Sequence, residues 1–238
     1  MGADQQKAPG LVRGGGSGVL KDKSQASKTY MTAVPAASGA FPDKGKRAID
    51  LLREGVFPEW WTFVPVAGKA TFVKEWSTKP LTRELCIDAY KTNRAYAGLG
   101  VVTGEFSGGL IALDIDGPEA DGRYKDAAGD DYDALGEERT MSWTSGKPGR
   151  RQLLYRVPQS IVPELRHVKT LILRADGSWH LGHSDVERQA GKAEASEAPQ
   201  YEEVVLRFNQ CQSVVPGSPH PDTGKPVGRG QYRVPLGR

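Results

Sequence analysis

Apolar and polar positions are unevenly patterned along this chain. The first forty residues, with "GGGSG" at Gly14 to Gly18, carry almost no periodic apolar signal and predict a disordered tail. From Asp43, "DKGKRAIDLLREG" sets Ala48, Ile49, Leu51 and Leu52 at helical spacing and stops at Gly55, predicting a short amphipathic helix. "WWTFVPVAGKATFVKEW" predicts two strand-like pieces broken by a turn at Gly68, with Pro65 favouring a sheet edge. "LTRELCIDAYKTNRAY" predicts a helix opened by Thr82, with Leu85, Cys86, Ala89 and Tyr90 on one side and an end near Gly98.

Strand signals dominate from there. "GLGVVTG" (98–104) and "GLIALDID" (109–116) predict a hairpin around "EFSG". The acidic stretch 118–138 predicts a helix or loop on the surface. "TMSWTSG" and "QLLYRVP" predict a second hairpin around "KPGR", and "EEVVLRFN" with "QSVVPGS" a last strand pair. No internal repeat is present. Hairpins with helices before and among them, and no βαβαβ alternation, predict an α+β domain with a mostly antiparallel sheet.

Composition narrows the class. The 238 residues are 38% hydrophobic and 26% charged, ordinary for a globular protein. Cys86 and Cys211 show no metal-like spacing, which suits a reducing compartment, so a cytoplasmic location is expected. No run approaches the roughly 18 apolar residues of a membrane span, so no membrane partner is expected. The net charge of +3 hides an asymmetry: residues 1–47 carry +5, residues 225–238 carry +4, and the centre is acidic at −6. Basic flanks around an acidic centre fit contact with a polyanion at the ends and concentrated carboxylates for another purpose.

The chemistry-bearing residues fall in three stretches. In a strand over "LIALDID", Leu110, Ala112, Asp114 and Asp116 share one face and Ile111, Leu113 and Ile115 the other. The two aspartate Cα atoms then lie about 6.6–7 Å apart, close enough for both carboxylates to converge on divalent cations such as Mg²⁺ or Mn²⁺. "TSGKPGRRQ" (144–152) offers Ser145, Lys147, Arg150 and Arg151 on a small-residue loop suited to a triphosphate. "SVVPGSPHPDTG" runs a strand into a rigid loop presenting Ser218 and His220. His180 and His183 in "WHLGH" lack the nearby acid or cysteine pair that a zinc site needs.

Taken in order, "GLGVVTGEFSGGLIALDID", "MSWTSGKPGRRQLLY" and "LRFNQCQSVVPGSPHPDTG" resemble the primase-polymerase (prim-pol) domains of plasmid and phage replication proteins, in the archaeo-eukaryotic primase superfamily. The likeness spans roughly residues 41–232. It implies a catalytic domain over 41–224, flanked by basic tails at 1–40 and 225–238, with an RRM-like antiparallel sheet and helices about it. It further implies Mg²⁺ or Mn²⁺ held by Asp114 and Asp116, and nucleoside triphosphates and a single-stranded DNA template as substrates. A replicative helicase is the partner it suggests. Gln152 stands where the family has a histidine, and is expected at the nucleotide. With Arg207 aligned to the family's arginine as a further nucleotide contact, Val205 takes the place of the third acid. Glu203, one step along the same face, is the candidate replacement, with Asp185 and Glu187 as others. Ser218 and His220 match the family's loop and are expected to touch the triphosphate. Two competitors are a prim-pol fold reduced to DNA binding, and a DxD glycosyltransferase, for which 43–100 is too short to supply a nucleotide-binding half.

Overall fold

The computed structural model describes residues 32–34, 45–132, 140–144, 148–182 and 202–219. Most of the two expected tails, and Ser145, Lys147, His183, Asp185, Glu187 and His220, lie outside the described residues. Along the chain come β1 (Thr32–Ala33), α1 (Ala48–Arg53), β2 (Phe63–Val66), α2 (Arg83–Thr92), β3 (Gly98–Val102), β4 (Leu110–Asp116) and α3 (Pro118–Ala128). They are followed by β5 (Ser142–Trp143), β6 (Arg150–Arg156), β7 (Thr170–Leu173), β8 (Trp179–Leu181), β9 (Val204–Arg207) and β10 (Gln212–Val214). The architecture is α+β with two antiparallel sheets, as expected.

The larger sheet runs β1-β6-β4-β9-β7-β8, with β5 also paired to β6; the smaller runs β10-β3-β2. β4 is central, flanked by β6 and β9. Its apolar residues are buried on both faces. Leu110 and Ala112 join a core with α1, β3, Trp61, Trp143 and Leu154, whereas Ile111, Leu113 and Ile115 join a second core under α3 with Ala120, Tyr124 and Val204. An uninterrupted apolar run is what a strand covered on both sides requires.

Several local expectations hold. Thr82 Oγ1 accepts the Leu85 N–H at 3.3 Å and caps α2. Pro65 sits on β2, an edge of the smaller sheet, and the β5–β6 hairpin forms with Trp143 opposite Gln152. Others do not hold. β3 and β4 are not a hairpin: a 3-10 turn over Glu105–Ser107 sends them into different sheets, joined only by a Gly104–Leu110 bridge. β9 and β10 likewise part, β9 pairing with β4 and β7 and β10 with β3. The second piece after Gly68 forms turns rather than a strand, and Leu85 faces solvent while Cys86 alone in α2 is fully buried. β7 and β8 form a hairpin that the irregular pattern of that region concealed.

Candidate active site

The parting of β3 from β4 opens a cleft at one end of the two sheets. Its wall comprises Asp114 and Asp116 of β4, Arg150, Arg151 and Gln152 of β6, Arg207 of β9, Trp143 of β5, Gln212, Ser213 and Val214 of β10, and Lys69 from the turn after β2. Register explains the grouping. Asp114 lies opposite Gln152 on one side and Val205 on the other, and Ala112 lies opposite Arg207. Directly paired residues share a sheet face, so Asp114, Gln152, Val205 and Arg207 all point the same way.

Cations meet both carboxylates. Arg207 Nη2 donates to Asp114 Oδ2 at 2.8 Å. Arg150 Nε donates to the Asp116 carbonyl at 3.0 Å, and its Nη1 stands 3.6 Å from Asp116 Oδ1. Burial, and secondly the charge of Asp114, push the Asp116 carboxyl above the ordinary range; Arg150, Arg207 and Lys69 oppose the rise. Lys69, whose charge acts on Asp116, was not singled out by the sequence, although a lysine in a glycine turn was the available signal.

Gln152 is 9% exposed, and its Oε1 has no hydrogen-bond partner among the described residues. A buried acceptor left unpaired costs about 1–3 kcal/mol, so a ligand or ion that satisfies it gains that much. Two carboxylates and an amide oxygen on one face are oxygen donors of the kind Mg²⁺ and Mn²⁺ take, and the residues fit such a cation. Among the described residues no three His, Cys, Asp or Glu side chains gather closely enough to hold a metal together. Glu203 stands beside Asp116, whose N–H donates to the Glu203 carbonyl at 3.0 Å, but it is not part of the cleft wall.

Two expected triphosphate contacts are turned elsewhere. Arg151 lines the cleft, but it neighbours Ile115 across the strands and so faces the α3 side, where its guanidinium bonds Asp121 and, at 3.3 Å, the Tyr132 hydroxyl. Ser218 is 0% exposed, and its hydroxyl accepts the Leu99 N–H at 2.9 Å while donating to the Leu99 carbonyl at 3.2 Å. It locks the loop after β10 onto β3 and is not part of the cleft wall. Of the expected site residues, the structure thus gathers Asp114, Asp116, Arg150, Gln152 and Arg207 in the cleft wall, with Arg151 beside them but its guanidinium bonded on the α3 side.

The hairpin carrying Arg150 is held close to Asp116 by Gly149. Its φ is +68°, and a side chain there would meet Pro118 Cδ and N at 2.6 Å. The sequence profile of the family described as "Bifunctional DNA primase/polymerase, N-terminal" matches residues 55–235. No curated protein matches the chain.

Proposed function

The chain belongs to the family of N-terminal bifunctional DNA primase/polymerase domains, and on that premise we propose that the cleft adds nucleotides from (d)NTPs to DNA on a single-stranded template. Membership supports a primase/polymerase-type role in replication and, in general, divalent-metal-dependent nucleotidyl transfer with DNA and nucleotide substrates. The observation that carries the finer reading is the pair Asp114 and Asp116 on one face of β4, walled by Lys69, Arg150 and Arg207.

Asp114 and Asp116, with Gln152 Oε1, would hold Mg²⁺ or Mn²⁺. When bound, the cation lowers the pKa of an attacking 3′-hydroxyl and offsets charge on the departing pyrophosphate. Arg207 and Arg150 now spend their charge on the carboxylates. Once these take a cation, the guanidiniums are in place for the triphosphate oxygens, with Lys69 beside them. Lys147, Ser145 and His220 complete this cradle in the proposal. Trp143 and Val214 add apolar surface to the wall beside these groups.

Primer synthesis and extension by the purified chain with Mn²⁺ and dNTPs test the reading. We expect incorporation that Asp114→Ala abolishes; no product from the wild type, or undiminished product from the variant, refutes it. Among the described residues no third acid joins Asp114 and Asp116 in the cleft wall, which favours one competitor, a DNA-binding domain without catalysis. Its signature is salt-sensitive DNA binding with no metal-dependent incorporation.

A further inference from the structure

The chain leaves β2 through a tight turn that is pinned at several points. Gly68 takes φ +64°, and Ala67 and Ala70 exchange two main-chain bonds of 2.8 and 3.2 Å. Gln212 Nε2, on β10, donates to the Lys69 carbonyl at 2.9 Å. Farther along, the Phe72 N–H donates to the Tyr96 hydroxyl at 3.0 Å, and the two rings stack with centroids 5.8 Å apart and planes 29° from parallel. Tyr96 is itself buried. Phe72 is therefore fixed in backbone and in ring, yet it remains 61% exposed.

A single exposed apolar side chain is ordinary on a protein surface. Phe72 differs in being held against the buried Tyr96 ring while most of its own surface stays open to solvent. The same turn carries Lys69 into the wall of the cleft containing Asp114 and Asp116, while Lys74 follows at the surface. Neither lysine forms an ion pair among the described residues, whereas neighbouring Glu75 is paired with Lys79 at 2.6 Å. A preset aromatic face beside unpaired cations suits a strand with a stackable base on a charged backbone. In a duplex the base faces are stacked on one another and out of reach, so the strand must be single.

We propose that Phe72 stacks on a base of single-stranded DNA whose phosphates pass Lys74 and Lys69 on the way to the cleft. This rests on the primase/polymerase reading, which supplies the strand. The turn after β2 is then the surface that delivers the strand, distinct from the acids that act on it.

Fluorescence anisotropy separates the contributions, using labelled oligo(dT) and an abasic oligonucleotide of equal length, at one salt concentration, with the full chain. The wild type is expected to prefer oligo(dT). Phe72→Ala should weaken oligo(dT) binding about 5- to 150-fold while leaving the abasic strand unchanged, and Phe72→Trp should restore the preference. The tryptophan variant adds a second readout, quenching of its emission by oligo(dT) but not by the abasic strand. Phe72→Ala binding oligo(dT) as the wild type does, in a folded protein, overturns the stacking proposal alone. A loss of Mn²⁺-dependent dNTP affinity in Phe72→Ala, with oligo(dT) unaffected, assigns the ring to the incoming nucleotide and also overturns it. Failure of the wild type to bind either strand overturns the DNA reading itself.

Discussion

Val205 faces Asp114 directly across the β4–β9 ladder and shares its side of the sheet with Arg207. An acid at that position would bring a third oxygen donor to the aspartate pair without any change of backbone. Cation affinity follows ligand charge, so Val205→Asp is expected to tighten Mn²⁺ binding by about tenfold, measured by calorimetry. Glu203→Gln, which alters a side chain outside the cleft wall, should leave it nearly unchanged. Asp116 yields a pH prediction. Its carboxyl titrates above the ordinary value because of burial and the neighbouring Asp114. A raised acid binds its proton more tightly in the folded chain, so its contribution favours folding at low pH and is lost as pH rises through the raised value. Near neutral pH the ionised group is a net cost. In cation-free buffer Asp116→Asn should therefore raise Tm by a degree or two near neutrality, the group being 38% exposed and screened, and by less at about pH 4. Added Mn²⁺ should raise the wild-type Tm and not that of the variant.

Among the elements, α3 starts immediately after Asp116 and is tied to β9 by one carboxylate. Glu202 Oε2 accepts the N–H groups of Glu119 and Ala120 at 2.6 and 3.2 Å, satisfying two of the donors that a helix start leaves open. Its backbone carbonyl also accepts from Arg123. Glu202→Ala is expected to cost about 1 kcal/mol in chemical denaturation. Elements of this kind were the most legible part of the sequence. The face alternation of "LIALDID", the Thr82 cap and the β5–β6 hairpin rest on interactions within a few residues, and each stands in the structure. Pairing was less legible. "EFSG" is as good a hairpin turn as many, but strand alternation says which face a side chain takes and nothing about which neighbour receives it. β3 and β4 are each buried on both sides, and each found its partners far along the chain. At the site the same limit applied to Ser218. A hydroxyl in a proline turn reads alike whether it meets a ligand or, as here, the main chain of Leu99. Arg151 followed the alternation to the far face, which its place beside Ile115 already encoded.

At the scale of the whole molecule, charge and topology act together. In the sequence, the basic flanks 1–47 and 225–238 lie on either side of the segments that build the cleft, and Arg150 and Arg207 of that cleft are already partly committed to Asp116 and Asp114. Affinity for a single strand should therefore depend on salt largely through residues outside the cleft. Removing 225–238 is expected to flatten the plot of log K against log salt by up to about 3, from four lost phosphate contacts at about 0.7 each, while dNTP incorporation at low salt persists. The order of the strands has a consequence during synthesis. β4 is completed by β6 and β9, and β3 by β10, all of them later in the chain. At roughly 5–20 residues per second, the ribosome needs about 4–18 s to pass from the end of β4 to the start of β9. For those seconds a strand apolar on both faces waits without one of its neighbours, so the segment bearing the two aspartates is one that a nascent-chain chaperone has reason to shield.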